Sequence, residues 1–308
     1  MQVAPRLAAA VRKAMPMPVE YQARRQISLW RGRAMRRRLR RAGTGGPAWL
    51  GMEELVALQA RYAPLPPYGY SEAAILARGE ERAAFLARFA GYARPGSAPR
   101  SLEVGCLDGL ASAALRQRGW EAAAIDRVSS GYDRRAVAAG TMLLTMDAER
   151  LAFRDDSFDL AFSYNAFEHI GDPAAALREM IRATRDGGII HLSFGPLHNA
   201  ALGLHAYREI RVPFCQFLFR RETLDAYCQA QGLRPVRYDQ LNGWSLRQYR
   251  DLWSAEGRRL KRLHYVESWS MNGMDLVESH PECFASKGLS FEELAVEHIH
   301  AVFRVTKS

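Results

Sequence analysis

The sequence predicts an α/β fold built on a doubly wound sheet, and three observations predict it. Residues 101–112 (SLEVGCLDGLAS) run a short strand, Leu102-Glu103-Val104, into Gly105, with Gly109 four positions later and the helix former Leu-Ala-Ser-Ala-Ala-Leu behind it. A strand that turns sharply into a helix aims backbone N–H groups at whatever sits on the helix N-terminus. Glycines in that turn let a ligand approach the backbone closely. Residues 119–126 (GWEAAAID) form a second short strand ending in Asp126. An acid about 20 residues past a glycine turn is placed to accept both hydroxyls of a ribose. The third observation is the order of the stretches 145–153 (TMDAERLAF), 157–170 (SFDLAFSYNAFEHI) and 178–194 (REMIRATRDGGIIHLSF), in which apolar strand-like runs alternate with a helical pattern.

At 308 residues the chain can bury a full core as one large domain with additions. Hydrophobic content of 48% and charged content of 25% belong to an ordinary globular protein. Cys106, Cys215, Cys228 and Cys283 show no paired spacing, which argues against a disulfide framework and for a reducing compartment. No apolar run reaches the roughly 18 residues of a membrane span, and the N-terminus lacks the apolar core of a secretory signal. The expected location is the cytoplasm, with the inner membrane surface as an address for the tail.

That tail holds most of the charge. Of the net +10, residues 1–41 contribute twelve Lys/Arg against the single acid Glu20, so the body is close to neutral. A neutral body argues against DNA and against a broad RNA-binding face. Pro16 and Pro18 bar a helix across them, whereas Val19, Ala23, Ile27, Trp30 and Ala34 recur at helical spacing. Beside an RNA contact and an organelle-targeting segment, which having only Ser28 as a serine before Arg41 disfavours, two expectations stand for the tail. One is a solvated basic extension; the other is an amphipathic helix over 19–41 that lies on an anionic membrane surface through Ile27, Leu29 and Trp30.

In chain order, GTGGP at 43–47 marks a boundary that closes a basic tail of residues 1–45. Helical patterns come next over 52–61 and 71–92, separated by the rigid turn 63–70 with Tyr68 and Tyr70, and 94–99 leads into the central strand. The strand ending at Ala161-Phe162-Ser163 releases a loop, 164–169, at its carboxyl end, where doubly wound sheets bind ligands. Asp172 and Pro173 are the N-cap and first-turn proline of a helix that turns Leu177, Met180 and Ile181 inward and stops at Asp186-Gly187-Gly188. Residues 189–194 are the next strand, with His191 as a satisfied core histidine. Residues 195–224 should fold over the pocket, 221–231 should be helical and 232–238 a strand. A helical excursion over 246–263 and an irregular stretch to 287 precede a last strand, 297–305, antiparallel beside 232–238.

From residue 100 to 194 these blocks resemble the class I S-adenosylmethionine-dependent methyltransferases, most closely their small-molecule branch. The resemblance implies a seven-stranded Rossmann-like sheet ending in a hairpin, a helical lid at 46–98, and a catalytic domain at 99–308 with a substrate-covering segment (195–220) and an insertion (244–290). It implies S-adenosylmethionine as cofactor. Glu103 and Gly105 would open the cofactor loop and Gly109 close it. Asp126 would hold the ribose, Asp147 would accept from the adenine amino group, and the backbone of Ala148 would lie beside the ring. Tyr68 and Tyr70 would reach cofactor or substrate from the lid. Leu107 stands where the family usually has a third glycine. The segment 195–214 is similar to one in methyltransferases associated with glycan and cell-surface polysaccharide synthesis, so the acceptor expected is a small molecule or a glycan. Ser163-Tyr164-Asn165-Ala166 replaces the Asn/Asp-Pro-Pro-aromatic box of nucleobase N-methylating relatives.

Methyl transfer from a sulfonium is an in-line displacement, so alignment and water exclusion are the main tasks. Tyr164 and Phe167 are candidate aromatic faces for the positive sulfur. A hydroxyl acceptor needs a base near neutral pKa, and His169, His198 and His205 lie at the right edge of the sheet. No metal is expected: Asp155 and Asp156 make a solvated turn. Two other functions stay open at this point, an RNA methyltransferase whose basic tail supplies phosphate contacts and a non-catalytic scaffold that kept the fold.

Overall fold

The computed structural model describes residues 19–42, 46, 48–64 and 71–307. The apolar runs become strands β1 (Arg100–Val104), β2 (Glu121–Asp126), β3 (Met142–Thr145), β4 (Phe158–Tyr164), β5 (Thr184–Phe194), β6 (Leu260–Trp269) and β7 (Val296–Val305). They make one 7-stranded sheet in the order β3-β2-β1-β4-β5-β7-β6. Strands β1 to β5 run parallel, while β7 is antiparallel to both β5 and β6. The winding reverses between β1 and β4, and a crevice opens outside their carboxyl ends.

The helices are α1 (Val19–Arg41), α2 (Met52–Arg61), α3 (Glu72–Leu86), α4 (Leu110–Gln117), α5 (Arg134–Ala138), α6 (Pro173–Ala183), α7 (Cys215–Leu218), α8 (Arg221–Ala230) and α9 (Leu246–Ala255). Three short ones come after β6: α10 (Met274–Ser279), α11 (Pro281–Ala285) and α12 (Phe291–Ala295). Central parallel strands are covered on both faces, so their residues alternate between two cores. Leu160 and Phe162 face Ala83, Leu86, Ala111 and Leu115 of α3 and α4. Ala161, Ile190 and Leu192 face the other way, with Leu177, Met180 and Ile181 of α6.

Several expected boundaries move. Helix α6 has Asp172 as its cap, accepting from Ala174 N and Ala175 N at 2.9 Å, but it ends at Ala183 and Thr184 already starts β5. Gly187 (φ +73°) sits inside β5, near where its register with β4 shifts between Phe158 and Leu160. The glycine serves a strand irregularity and not a helix cap. Residues 232–238 are irregular, because Pro235 has no N–H for a ladder. The hairpin partner of β7 is β6, so the helix expected over 246–263 stops at Ala255 and the expected 244–290 insertion is split by a strand. His191 is a core residue at 4% exposure, yet its Nδ1 has no partner, so it is not satisfied.

The tail is not a free extension over its described part. Ser28, Gly32, Met35 and Leu39, at helical spacing, are buried against the body. A methyl on Gly32 would fall within 3.0 Å of the Phe291 ring of α12, and Arg36 pairs with Glu292 at 3.3 Å. The expected stripe is offset from this face: Trp30 is 71% exposed and Ala34 is exposed. Tyr68, Tyr70 and most of the 43–47 boundary lie outside the described residues.

Candidate active site

The crevice between β1 and β4 is a cleft of about 1190 Å³. Its floor is the turn from β1 into α4. Gly105 N and Cys106 N donate to Ile125 O at 2.9 and 3.0 Å, tying the turn to β2. Gly105 has φ +72°, and a methyl there would come within 3.0 Å of Ala166 Cβ, so the turn and the segment after β4 meet at a glycine. Gly109 (φ +73°) does not reach the cleft; a methyl there would meet the Leu143 side chain of β3 at 2.7 Å. Leu107 takes the left-handed conformation itself, at φ +50°. Its N–H donates to Asp126 Oδ2 at 2.9 Å and its side chain lies at the rim, 55% exposed. The loop therefore keeps its turn without a third glycine, at a cost of about 1–2 kcal/mol for an L residue.

Glu103 is not a cleft residue. It is 2% exposed and accepts from Ser112 Oγ and N at 2.6 and 3.2 Å, joining β1 to α4. Burial pushes its carboxyl up to about 7 against the pull of the Ser112 hydrogen bond. Asp126, Asp147 and Ala148 do line the cleft, at the ends of β2 and β3. Asp126 also accepts from Val128 N at 3.3 Å and Asp147 from Glu149 N at 2.9 Å, which holds both carboxylates at the rim. Tyr164 lines the cleft under the Arg82 guanidinium of α3, 4.5 Å from its ring centroid, with His191 behind it at 4.9 Å. Phe167 turns away into the core against Phe194 and Trp253.

Two of the three expected histidines meet. His169 and His205 have ring centroids 5.1 Å apart, edge to face, in the cleft. His169 Nδ1 lies 2.6 Å from Gln240 O; a carbonyl only accepts, so Nδ1 carries the proton and Nε2 keeps its lone pair. His205 hydrogen-bonds the backbone of Pro196, and its Nε2 has no partner. The crowded cleft walls hold His169 below its usual value, although one edge stays open to solvent. Burial first, then the neighbouring His169, push His205 down to about 4. Both rings are neutral bases at pH 7. His198 instead packs on Phe217 outside the cleft.

Sequence reasoning missed several cleft residues. Glu168 is 2% exposed, with Oε1 accepting from Gly195 N at 3.1 Å and Oε2 unpartnered; burial pushes it up to about 8, so it is protonated at pH 7. Its side chain beside His169 could have signalled this only once the turn was known to be buried. Arg78 and Arg82 of α3, His298 of β7, and Arg208, Arg234 and Arg237 also line the cleft. Asn242 fixes the turn that carries His169: its Nδ2 donates to Phe167 O and Ile170 O at 3.0 Å, and its N to Glu168 O at 2.9 Å. Gln59 of α2 clamps the covering segment through Glu209 O at 3.0 Å and Arg211 N at 2.6 Å. No group of three metal-ligating side chains occurs among the described residues.

Residues 102–192 match the family model described as a methyltransferase domain. The chain is 31% identical over 142 residues to an uncharacterized methyltransferase of Mycobacterium sp. (strain JLS), covering 44% of this chain and 51% of the relative. It is 27% identical over 137 residues to a ubiquinone biosynthesis O-methyltransferase of Parvibaculum lavamentivorans, covering 43% and 53%. Over 103 residues it is 36% identical to a malonyl-[acyl-carrier protein] O-methyltransferase of Erwinia pyrifoliae, covering 33% and 39%. The chain spans about half the length of the first of these curated relatives.

Proposed function

From the premise that this chain carries a class I methyltransferase domain, we propose that it transfers the methyl group of S-adenosylmethionine to a hydroxyl oxygen of a small molecule or glycan. The observation that carries this is one cleft holding the Gly105 turn, Asp126, Asp147 and two neutral imidazoles, His169 with its Nε2 lone pair uncommitted and His205 with a buried, unpartnered Nε2. S-adenosylmethionine, when bound, supplies an electrophilic methyl on a positive sulfur. Asp126 would accept from the ribose hydroxyls and Asp147 from the adenine amino group, both lining the cleft. Tyr164 offers a π-face to the sulfonium, and Arg82 stands over it as a partner for the cofactor carboxylate. His169, through its Nε2 lone pair, or His205 would take the acceptor's hydroxyl proton, leaving the oxygen free to accept the methyl group that the bound cofactor would supply. The test is methyl transfer from labelled cofactor to fractions of a cell extract. Normal cofactor affinity with no labelled product in any fraction points to a scaffold instead.

The same reading gives α1 a second role. Its outer face presents Trp30, Arg33, Arg37, Arg40 and Arg41, all exposed, to anionic lipid headgroups. No helix among the described residues is long and apolar enough to cross a membrane. The full chain should sediment with vesicles containing phosphatidylglycerol and stay in solution with neutral ones. Equal partition with both refutes the surface contact.

A further inference from the structure

The acceptor half of the cleft is basic, and this refines the proposed transferase reading, on which it rests. The segment after α8 brings Arg234 and Arg237 to the cleft and, through Gln240 O, holds His169 Nδ1 at 2.6 Å. The segment after His205 brings Tyr207 and Arg208 to the same cleft, with His205 and Tyr207 rings 6.3 Å apart. Arginines from both segments thus line the cleft that holds the two bases.

None of the acids that line the cleft, Asp108, Asp126, Asp147, Glu149, Glu168 and Glu209, pairs with Arg234 or Arg237 among the described residues. Asp126 and Asp147 stand at the nucleoside end. Asp108 accepts from Leu110 N and Glu149 from Asp172 N, both at helix starts. Arg234 makes no ion pair among the described residues. Arg237 has Asp239 at 3.7 Å, but these side chains are 69% and 81% exposed, a surface pair that holds little energy and yields easily to a better partner. Guanidinium forks match carboxylate and phosphate oxygens bidentately.

We infer that the acceptor is an anion, with its carboxylate or phosphate held by Arg234 and Arg237 while its hydroxyl faces the His169–His205 pair. An uncharged acceptor would make no use of these two cations, and an anionic one is drawn to the cleft.

Calorimetry on the full chain saturated with S-adenosylhomocysteine tests this, titrating pyrophosphate in one arm and succinate in the other. At least one anion should bind, more weakly as salt rises, and at least tenfold more weakly to the Arg234→Ala/Arg237→Ala variant. Both positions are exposed, and the variant's affinity for S-adenosylhomocysteine should not change. Binding of pyrophosphate alone identifies a phosphate, and binding of succinate alone a carboxylate. Absence of binding in both arms, or equal binding to the variant, overturns the inference. Failure of S-adenosylhomocysteine to bind the unaltered chain overturns the transferase reading itself.

Discussion

Replacing Gly105 by Ala tests the cofactor turn through two separable terms. At φ +72° an L residue costs about 1–2 kcal/mol, partly offset by about 0.4–1 kcal/mol of unfolded-state entropy removed by the methyl. The methyl also falls within 3.0 Å of Ala166 Cβ, and such overpacking typically costs about 1–3 kcal/mol. The single variant should therefore lose about 1–5 kcal/mol. Ala166→Gly removes the obstructing methyl, so the double variant should recover the overlap but keep the backbone strain. Urea unfolding of the four proteins reads the coupling directly, expected at about 1–3 kcal/mol in favour of the double variant. Additive effects, within about 0.5 kcal/mol, would falsify the close approach of the turn to the segment after β4.

The remaining predictions concern protons. Glu168 has a folded pKa of about 8 against 4.5 for the free side chain, so its contribution to stability is greatest below about pH 4.5 and is lost as pH rises toward 8. Glu168→Gln should thus gain stability over the unaltered protein across that window, on the order of 4 kcal/mol by pH 8; parallel melting temperatures from pH 5 to pH 8 contradict the buried acid. Replacing His169 and His205 singly by Ala should lower kcat by about 10²–10⁴-fold for whichever is the base, with cofactor affinity retained. The acid limb of kcat/KM should have its midpoint below the usual histidine value of about 6.5, because both rings are held neutral. Intact turnover in both variants removes the histidines from the mechanism.

The parallel half of the sheet was legible because β1, β2, β4 and β5 are short apolar runs punctuated by glycine and capped acids. Asp126 and Asp147 could be placed because strand ends are fixed once the strands are. Strand β6 was not legible: Lys261, Arg262, His264 and Glu267 break its apolar pattern, and its burial comes from pairing with β7. The histidine pair was half legible. Sequence put His169 and His205 on the same edge of the sheet, but only the fold shows that the 195–209 segment returns close enough to set their rings 5.1 Å apart, while His198 rotates onto Phe217. Glu103 and Gly109 sit where the family pattern puts them, and their side of the turn faces α4 and β3 instead of the cleft. The arginines that line the cleft after α8 and after His205 come from segments with no regular structure, so nothing in their spacing announced a common wall.

The most direct test is calorimetric titration of S-adenosylmethionine into the full chain beside its Asp126→Ala variant. Saturable one-to-one binding is expected, weakened about 10–1000-fold in the variant by loss of charge-assisted hydrogen bonds to the ribose. No heat of binding to the unaltered chain, or equal affinity in both, would contradict a nucleoside seated at the mouth of β1 and β2.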